Sequence, residues 1–294
     1  MEKYCKICPR NCRVDRNEKL GFCGMFNIVK VAKVMLHQWE EPIISSGNGS
    51  GAIFFSGCNL KCIYCQNYQI SSLGEGKEIT VEKLADLFKQ LEEKGAVNIN
   101  LVTPTHYTNQ IIKALKIYRP KVPIVWNTSG YETVQTIKKL KKYVDIYLTD
   151  LKYFSRKLST EYSCATDYFD VATKAILEMR KNQPEDVLED GVMKKGLIVR
   201  HLILPTHFGD SEMVFEWIKE NLGENTYISV MSQYTPYYKA KKHKILKHKL
   251  KKKEYEQVLQ YIISLGFVNG FVQELSSSTC EFIPDFDNKG DFDF

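Results

Sequence analysis

The stretch Phe55-Ser-Gly-Cys-Asn-Leu-Lys-Cys-Ile-Tyr-Cys-Gln-Asn67 sets Cys58, Cys62 and Cys65 in one short loop with C-x3-C-x2-C spacing, and no fourth cysteine lies nearby. A cubane iron–sulfur cluster has four irons, and thiolates ordinarily hold each of them. Three ligands leave one iron free to bind and activate another molecule. Open coordination is what separates reactive metal sites from structural ones. Zinc prefers paired C-x2-C units that supply four ligands, and this loop offers three. The apolar run Ala52-Ile-Phe-Phe-Ser56 reads as a buried strand, so the loop falls at that strand's C-terminal end.

Downstream, strand-like and helix-like segments alternate. Strands are expected at 97–102, 123–127, 145–150, 196–204 and 227–231, with a short one at 270–273. Helices are expected at 81–95, 110–119, 134–143, 169–181, 212–221 and 253–265, and Asp190-Gly191 suits the turn of a small hairpin. Such alternation predicts right-handed βαβ units and a parallel α/β sheet of six main strands, as either a partial barrel or an open doubly wound sheet. No Gly-x-Gly-x-x-Gly follows the first strand, which argues against dinucleotide binding.

In parallel barrels the chemistry gathers at the C-terminal strand ends. There the sequence places Thr103-Pro-Thr-His-Tyr107, Asn127-Thr-Ser-Gly130, Asp150-Leu-Lys152, Arg200-His201 and Gln233-Tyr-Thr235. The bland alternatives are a solvated Asp150–Lys152 pair, a core histidine at 201 and a turn glycine at 130.

The C-x3-C-x-aromatic-C pattern, with Tyr64 in its aromatic slot, resembles the signature of the radical S-adenosylmethionine (SAM) superfamily. With Asp150-Leu-Lys152, Asn127-Thr-Ser-Gly130 and Arg200-His201 added, the chain looks like activating enzymes of glycyl-radical enzymes, such as the pyruvate formate-lyase activating enzyme. It looks still more like the uncharacterised radical SAM proteins related to that activase. The resemblance implies a partial (β/α)6 TIM-like barrel over residues 52–275. It implies a [4Fe-4S] cluster on Cys58, Cys62 and Cys65, with SAM on the fourth iron and Tyr64 against the adenine. The cluster would cleave SAM reductively to a 5′-deoxyadenosyl radical for hydrogen abstraction, from a protein or peptide if the activase likeness extends to substrate. A carboxylate needs a cation, so Lys152 or Arg200 would anchor the SAM carboxylate. His201, Asn127 and Thr128 suit ribose hydroxyls, and Thr103 and Thr105 lie where the ammonium needs acceptors. Groups near Asp150 and Asn127 would hold a monovalent cation, although Asn127 replaces an aspartate of the activases. The family's Gly-Gly-Glu is replaced by Thr103-Pro-Thr-His106, so amino-group recognition differs in detail.

At the N-terminus, Cys5, Cys8, Cys12 and Cys23 form C-x2-C-Pro-x2-C-x10-C, a set that suits zinc or a second iron–sulfur cluster equally. The sequence divides into a four-cysteine metal-binding module at 1–28, a connector at 29–51, the barrel at 52–275 and an acidic tail at 276–294. In the connector, His37 and Glu40–Glu41 are candidates to line the site, but packing of the module on the barrel is the role expected of them.

Nine lysines fall between Lys239 and Lys253. That run reads as a solvated face or as a dock for an acidic partner, such as an acidic substrate protein or a flavodoxin- or ferredoxin-type electron donor. It lacks interleaved aromatics, which argues against nucleic acid. The chain has 294 residues, 44% of them hydrophobic, and a net charge of +6. No apolar run suffices for a membrane span and no secretory h-region opens the chain, so a cytoplasmic protein is expected. Nine cysteines without a signal point to metal binding in a reducing compartment rather than to disulfides. The rival readings are a radical SAM enzyme for a small molecule and a non-enzymatic metal-binding adaptor.

Overall fold

The computed structural model describes residues 4–273 together with Phe286 and Phe292. The acidic tail expected at 276–294 otherwise lies outside the described residues. The strands are β1 (Val29–His37), β2 (Ser50–Phe55), β3 (Lys77–Ile79), β4 (Ile99–Val102), β5 (Ile124–Thr128), β6 (Ile146–Asp150), β7 (Val187–Glu189), β8 (Val192–Leu202), β9 (Tyr227–Met231) and β10 (Gly270–Val272). The α-helices are α1 (Pro42–Ser45), α2 (Tyr68–Ser71), α3 (Val81–Glu93), α4 (Thr108–Ile117), α5 (Val134–Leu140), α6 (Arg156–Ser163), α7 (Tyr168–Asn182), α8 (Phe208–Leu222) and α9 (Lys252–Ser264).

β2, β4, β5, β6, β8, β9 and β10 pair in that order, all parallel. β1 and β3 continue the sheet antiparallel beyond β2, and β7 forms a hairpin with β8. Helices cross over between the parallel strands and cover the outer face, giving a partial TIM-like barrel. Helix α3 shows how local sequence sets this. Thr80 caps its N-terminus, accepting from Lys83 N at 3.1 Å. Leu84, Ala85, Leu87, Phe88 and Leu91 then recur at helical spacing and are buried against the sheet. Among the described residues no helix is long and apolar enough to cross a membrane.

Strand periodicity divides the side chains in two. Trp126, Tyr147, Leu197 and Val199 face the helices, in the large outer core. Val125, Ile146, Leu148 and Ile198 face the lumen, with Ile43 and Ile44 of α1 packed among them. Farther along the same inward rows come Asn127, Asp150 and Arg200. The lumen is therefore apolar near the N-terminal strand ends and ionic above.

Residues 29–51 do more than connect. β1 runs antiparallel to β2, so His37 lies opposite Ser50 at the start of β2. The chain then turns beneath the barrel, and α1 stops its lower end. Asn98 Nδ2 donates to Ile44 O at 2.7 Å and Ser50 Oγ donates to Asn98 Oδ1 at 2.6 Å, holding the stopper in place. The mixed run Val29-Lys-Val-Ala-Lys-Val-Met-Leu-His37 hid this strand, because Lys33 interrupts the apolar alternation yet is itself buried.

The N-terminal module docks on the opposite, C-terminal strand ends. Arg10 Nε donates to Asn59 O at 2.7 Å, and Thr136 Oγ1 donates to Ile7 O at 2.6 Å. Buried Arg16 donates to the carbonyls of Met25 at 3.2 Å and His106 at 2.5 Å. Gly57 permits the approach: it sits at φ +85°, and a Cβ there would lie 2.9 Å from Cys23 O and 2.3 Å from Met25 Cγ. Gly24 has φ +80° but open space around it. Gly57→Ala is therefore expected to lower the unfolding free energy by about 1–3 kcal/mol more than Gly24→Ala, the usual range for overpacking. Paired urea titrations of the two variants measure this difference.

Candidate active site

The loop after β2 carries Cys58, Cys62 and Cys65 and is held on every side. Cys58 N donates to Cys23 O at 3.3 Å, Lys61 N to Ser163 O at 3.3 Å, and Ile63 N to Tyr162 O at 2.9 Å. Ala240 N donates to Ile63 O at 2.9 Å, tying the start of the lysine-rich segment to the same loop. Each sulfur has a polar neighbour. Leu60 N donates to Cys58 Sγ at 3.4 Å, Ser163 Oγ lies 2.9 Å from Cys62 Sγ, and Ser71 Oγ lies 3.2 Å from Cys65 Sγ.

Burial pushes the Cys58 thiol up to about 12, helped by the charges of Cys62 and Cys65, and the Cys62 thiol up to about 11. The Cys65 thiol is raised for the same first reason. Thiols this desolvated need a metal to become thiolates near neutrality. Among the described residues, no three His, Cys, Asp or Glu side chains close around a lone ion. Three mutually interacting thiols, each with a hydrogen-bonding partner, are a donor set that fits a cluster of several irons with one corner left open.

Beneath the loop lies a cavity of about 910 Å³, at the upper end of the roughly 300–1,000 Å³ usual for ligand sites. Cys62, Tyr64, Cys65, Asn127, Asp150, Lys152 and Arg200 line it, with Glu40 and Glu41 at its floor. Cys58 is not among the lining residues. Asp150 stands opposite Arg200 across the β6–β8 ladder. Its carboxylate accepts from Arg200 Nε at 2.9 Å and Lys152 Nζ at 2.6 Å. Arg200 also donates to Asn127 Oδ1 at 2.6 Å and Glu40 Oε2 at 3.4 Å. Glu40 Oε1 accepts from Asn100 at 3.0 Å and Asn127 at 3.2 Å.

Burial works to raise the Asp150 carboxyl, but Lys152 and Arg200 outweigh it and hold it below the usual carboxylate range. Glu41, 4.0 Å from Arg200, goes the other way: burial raises it to about 7 against the pull of that guanidinium. Asp150 and Lys152 are thus a buried pair, not a solvated one.

Four of the expected cofactor contacts lie outside this lining. His201 follows Arg200 in a strand, so it must point to the other face. It is a satisfied core histidine, with Nδ1 2.7 Å from Leu151 O, Nε2 2.8 Å from Ser211 Oγ, and its ring edge-on to Phe215. Thr128 follows Asn127 and is turned outward for the same reason. The hydroxyls of Thr128 and Thr105 both donate to buried Glu132 Oε1 at 2.7 Å, and Trp126 Nε1 donates to it at 3.1 Å. Thr103 adopts φ +59°, and its backbone N donates to Asn127 O at 2.9 Å. Gly130 is a turn residue under a hard constraint, because a Cβ there would lie 2.3 Å from Asp150 O.

Of the module's cysteines, Cys8 and Cys23 are buried and Cys5 and Cys12 half-buried. Burial raises the Cys8 thiol to about 12, with smaller contributions from Cys5 and Cys23. Two further residues beside the cysteine loop, Tyr153 and Ser163, were missed by sequence reasoning. Tyr153 stands just past Lys152 and could have been read as part of that strand end. Ser163 belongs to α6, whose run Arg156-Lys-Leu-Ser-Thr-Glu-Tyr-Ser163 is too polar for an apolar stripe to betray it.

Burial lowers His201 from 6.5 to about 4 and His106 to about 3. A depressed folded pKa contributes stability that is complete above pH 6.5 and fades as pH falls toward the folded value. The unfolding free energy is therefore expected to drop between pH 6.5 and 4, and His201→Gln, which cannot titrate, to flatten that slope. Denaturant titrations of both proteins across that window measure the difference.

Comparison with known proteins places this geometry. The model of the Radical SAM superfamily matches residues 52–195. The uncharacterized protein MJ0674 of Methanocaldococcus jannaschii is 32% identical over 268 residues, covering 88% of this chain and 74% of that protein. The pyruvate formate-lyase-activating enzyme of Clostridium pasteurianum is 27% identical over 182 residues, covering 58% of this chain and 69% of that enzyme. Among solved structures, Streptococcus suis SuiB bound to S-adenosylmethionine superposes with a TM-score of 0.50 at 18% identity, covering 74% of this chain. The chain spans about half of SuiB's own length, 48%, and the likeness is one of fold. Cysteine loop, barrel and relatives agree: this chain belongs to the radical SAM superfamily of enzymes.

Proposed function

We propose that the protein binds a [4Fe-4S] cluster through Cys58, Cys62 and Cys65 and holds SAM in the cavity below, to abstract hydrogen from a protein or peptide. The observation that carries this is the convergence of Cys62, Tyr64, Cys65, Asp150, Lys152 and Arg200 on one cavity. When bound, the cluster supplies SAM with one electron from an external reductant, releasing methionine and a 5′-deoxyadenosyl radical that takes the substrate hydrogen. The chain's own part is binding and orientation. Lys152, nearest the cysteines, meets the carboxylate of SAM, and Tyr64 bounds its adenine. Asp150 keeps Lys152 and Arg200 charged and aimed. Glu40, itself braced by Asn100 and Asn127, is an acid within the lumen that can meet an ammonium group, in a chain that lacks Gly-Gly-Glu.

The activase relative supports a protein or peptide substrate, with a small molecule as the rival. The cysteines of the N-terminal module would hold zinc or an auxiliary cluster, and metal and sulfide analysis decides between them. An adaptor built on zinc alone has lost support, since the chain belongs to an enzyme superfamily. The eight cysteines among the described residues are free, which suits a reducing cytoplasm.

The reductant would dock on the lysine-rich segment. Ala240, Leu246 and Leu250 are buried beneath it, which turns its lysines outward beside the cluster loop. Such a field steers an acidic donor.

Anaerobically reconstituted protein given dithionite and SAM is expected to yield 5′-deoxyadenosine, and Cys62→Ala none. An intact cluster without product would overturn the reading. Asp150→Asn, which leaves Lys152 without its acid and Arg200 with only the more distant Glu40 and Glu41, is expected to weaken SAM binding at least about tenfold, or ~1.4 kcal/mol, by calorimetry. Reversing Lys241, Lys242 and Lys244 to glutamate should slow cluster reduction by an acidic flavodoxin while leaving reduction by dithionite unchanged.

A further inference from the structure

A row of hydroxyls runs from the cavity wall to one cluster-loop sulfur. Tyr64 Oη lies 2.6 Å from Tyr153 Oη, Tyr153 Oη 2.7 Å from Ser163 Oγ, and Ser163 Oγ 2.9 Å from Cys62 Sγ. The three residues come from the cysteine loop, the segment after β6 and the last turn of α6. All are buried, with Tyr153 and Ser163 fully so. Their neighbours in the row are the only hydrogen-bond partners the described residues offer these hydroxyls.

The contact at Cys62 is fixed by backbone rather than by a chance rotamer. The residues on either side of Cys62 are bonded to consecutive carbonyls of α6, Lys61 N to Ser163 O and Ile63 N to Tyr162 O. Helix α6 ends there because Cys164 takes φ +52°, which leaves its last carbonyls free for the loop. Arg10 then clamps the same turn, donating to Cys164 O at 2.5 Å and Ser163 O at 3.4 Å. The sulfurs of Cys58 and Cys65 differ. Their partners, Leu60 N and Ser71 Oγ, belong to the cysteine loop and the short helix directly after it, and neither leads to the cavity.

An iron-bound thiolate has no proton and can only accept. Ser163 must then donate to Cys62, Tyr153 to Ser163, and Tyr64 to Tyr153. One acceptor at the end fixes the direction of every bond in the row, and bonds so aligned polarise one another. The oxygen of Tyr64, a residue of the cavity wall, is left as the acceptor at the row's far end.

We propose that Tyr64, Tyr153 and Ser163 form a hydrogen-bond relay that sets the cluster's reduction potential through Cys62 and reports to it what occupies the cavity beside Tyr64. The proposal rests on the reading that Cys58, Cys62 and Cys65 hold the cluster. Hydrogen bonds to cluster sulfurs stabilise the more negative, reduced form and raise the potential. Ser163 is a positioning residue that acts through Cys62, and Tyr153 links it to Tyr64.

The test is a redox titration followed by electron paramagnetic resonance on the anaerobically reconstituted full chain, with and without SAM. Ser163→Ala is expected to make reduction about tenfold less favourable, a midpoint ~59 mV lower for one electron. Ser163→Thr, which keeps the hydroxyl, should restore it. Tyr153→Phe keeps the ring packing and the Ser163–Cys62 bond, so it should lower the potential less. It should also shrink the shift that SAM causes in the parent protein. An intact cluster with the parent potential in both Ser163→Ala and Tyr153→Phe overturns the relay alone. A parent protein that assembles no [4Fe-4S] cluster overturns the underlying reading and the relay with it.

Discussion

The buried ion pair between Asp150 and Arg200 is the constraint on which the lumen is organised. Three carboxylates and two cations would be expensive to bury separately, and removing one member of such a set leaves a desolvated charge uncompensated. Here Asp150, Glu40, Lys152 and Arg200 find partners, while Glu41, 4.0 Å from Arg200, is pushed by burial toward its neutral form. Arg200 reaches Asp150, Asn127 and Glu40 from one guanidinium, whose planar fork suits several acceptors at once. Lys152 takes the remaining oxygen of Asp150. Because Asp150 and Arg200 face each other in a strand ladder, the sheet's register and the cavity's electrostatics are a single arrangement. A slip of one residue would turn both charges into the helix layer.

The same alternation explains what could and could not be read in advance. Strands such as 52–56 and 196–204 announced themselves as apolar runs, and six parallel strands with crossing helices followed from the order of the segments. Asn127, Asp150, Lys152 and Arg200 were legible because polar residues at strand ends stand out against apolar neighbours. Which of two adjacent residues faces inward was not legible. Arg200 and His201 look equally chemical in the sequence, yet one lines the lumen and the other props α8. Thr128 beside Asn127 repeats the case. Glu132 also escaped notice, since nothing local says that a carboxylate two residues past a turn glycine will gather Thr105, Trp126 and Thr128 around itself.

Long-range contacts account for the rest of what was hidden. Ser163 lies 101 residues from Cys62 in sequence, and Arg10 lies farther still from the helix end it clamps. Such pairings depend on where loops meet, and single-sequence periodicity carries no record of that. The short polar helix α6 and the interrupted strand β1 were missed for a related reason. Each is stabilised by what it touches more than by its own pattern.

β1 has a practical bearing. Its nine residues reach about 30 Å at strand rise, with the cysteine module at one end and Glu40, Glu41 and the α1 stopper at the other. Residues 4–50 therefore brace the barrel from end to end, from the cysteine module to α1. Anyone trimming this protein to the segment that carries the family signature would delete Glu40, Glu41 and the base of the well along with the module. The segment recognisable by its cysteines is thus shorter than the segment that builds the cavity.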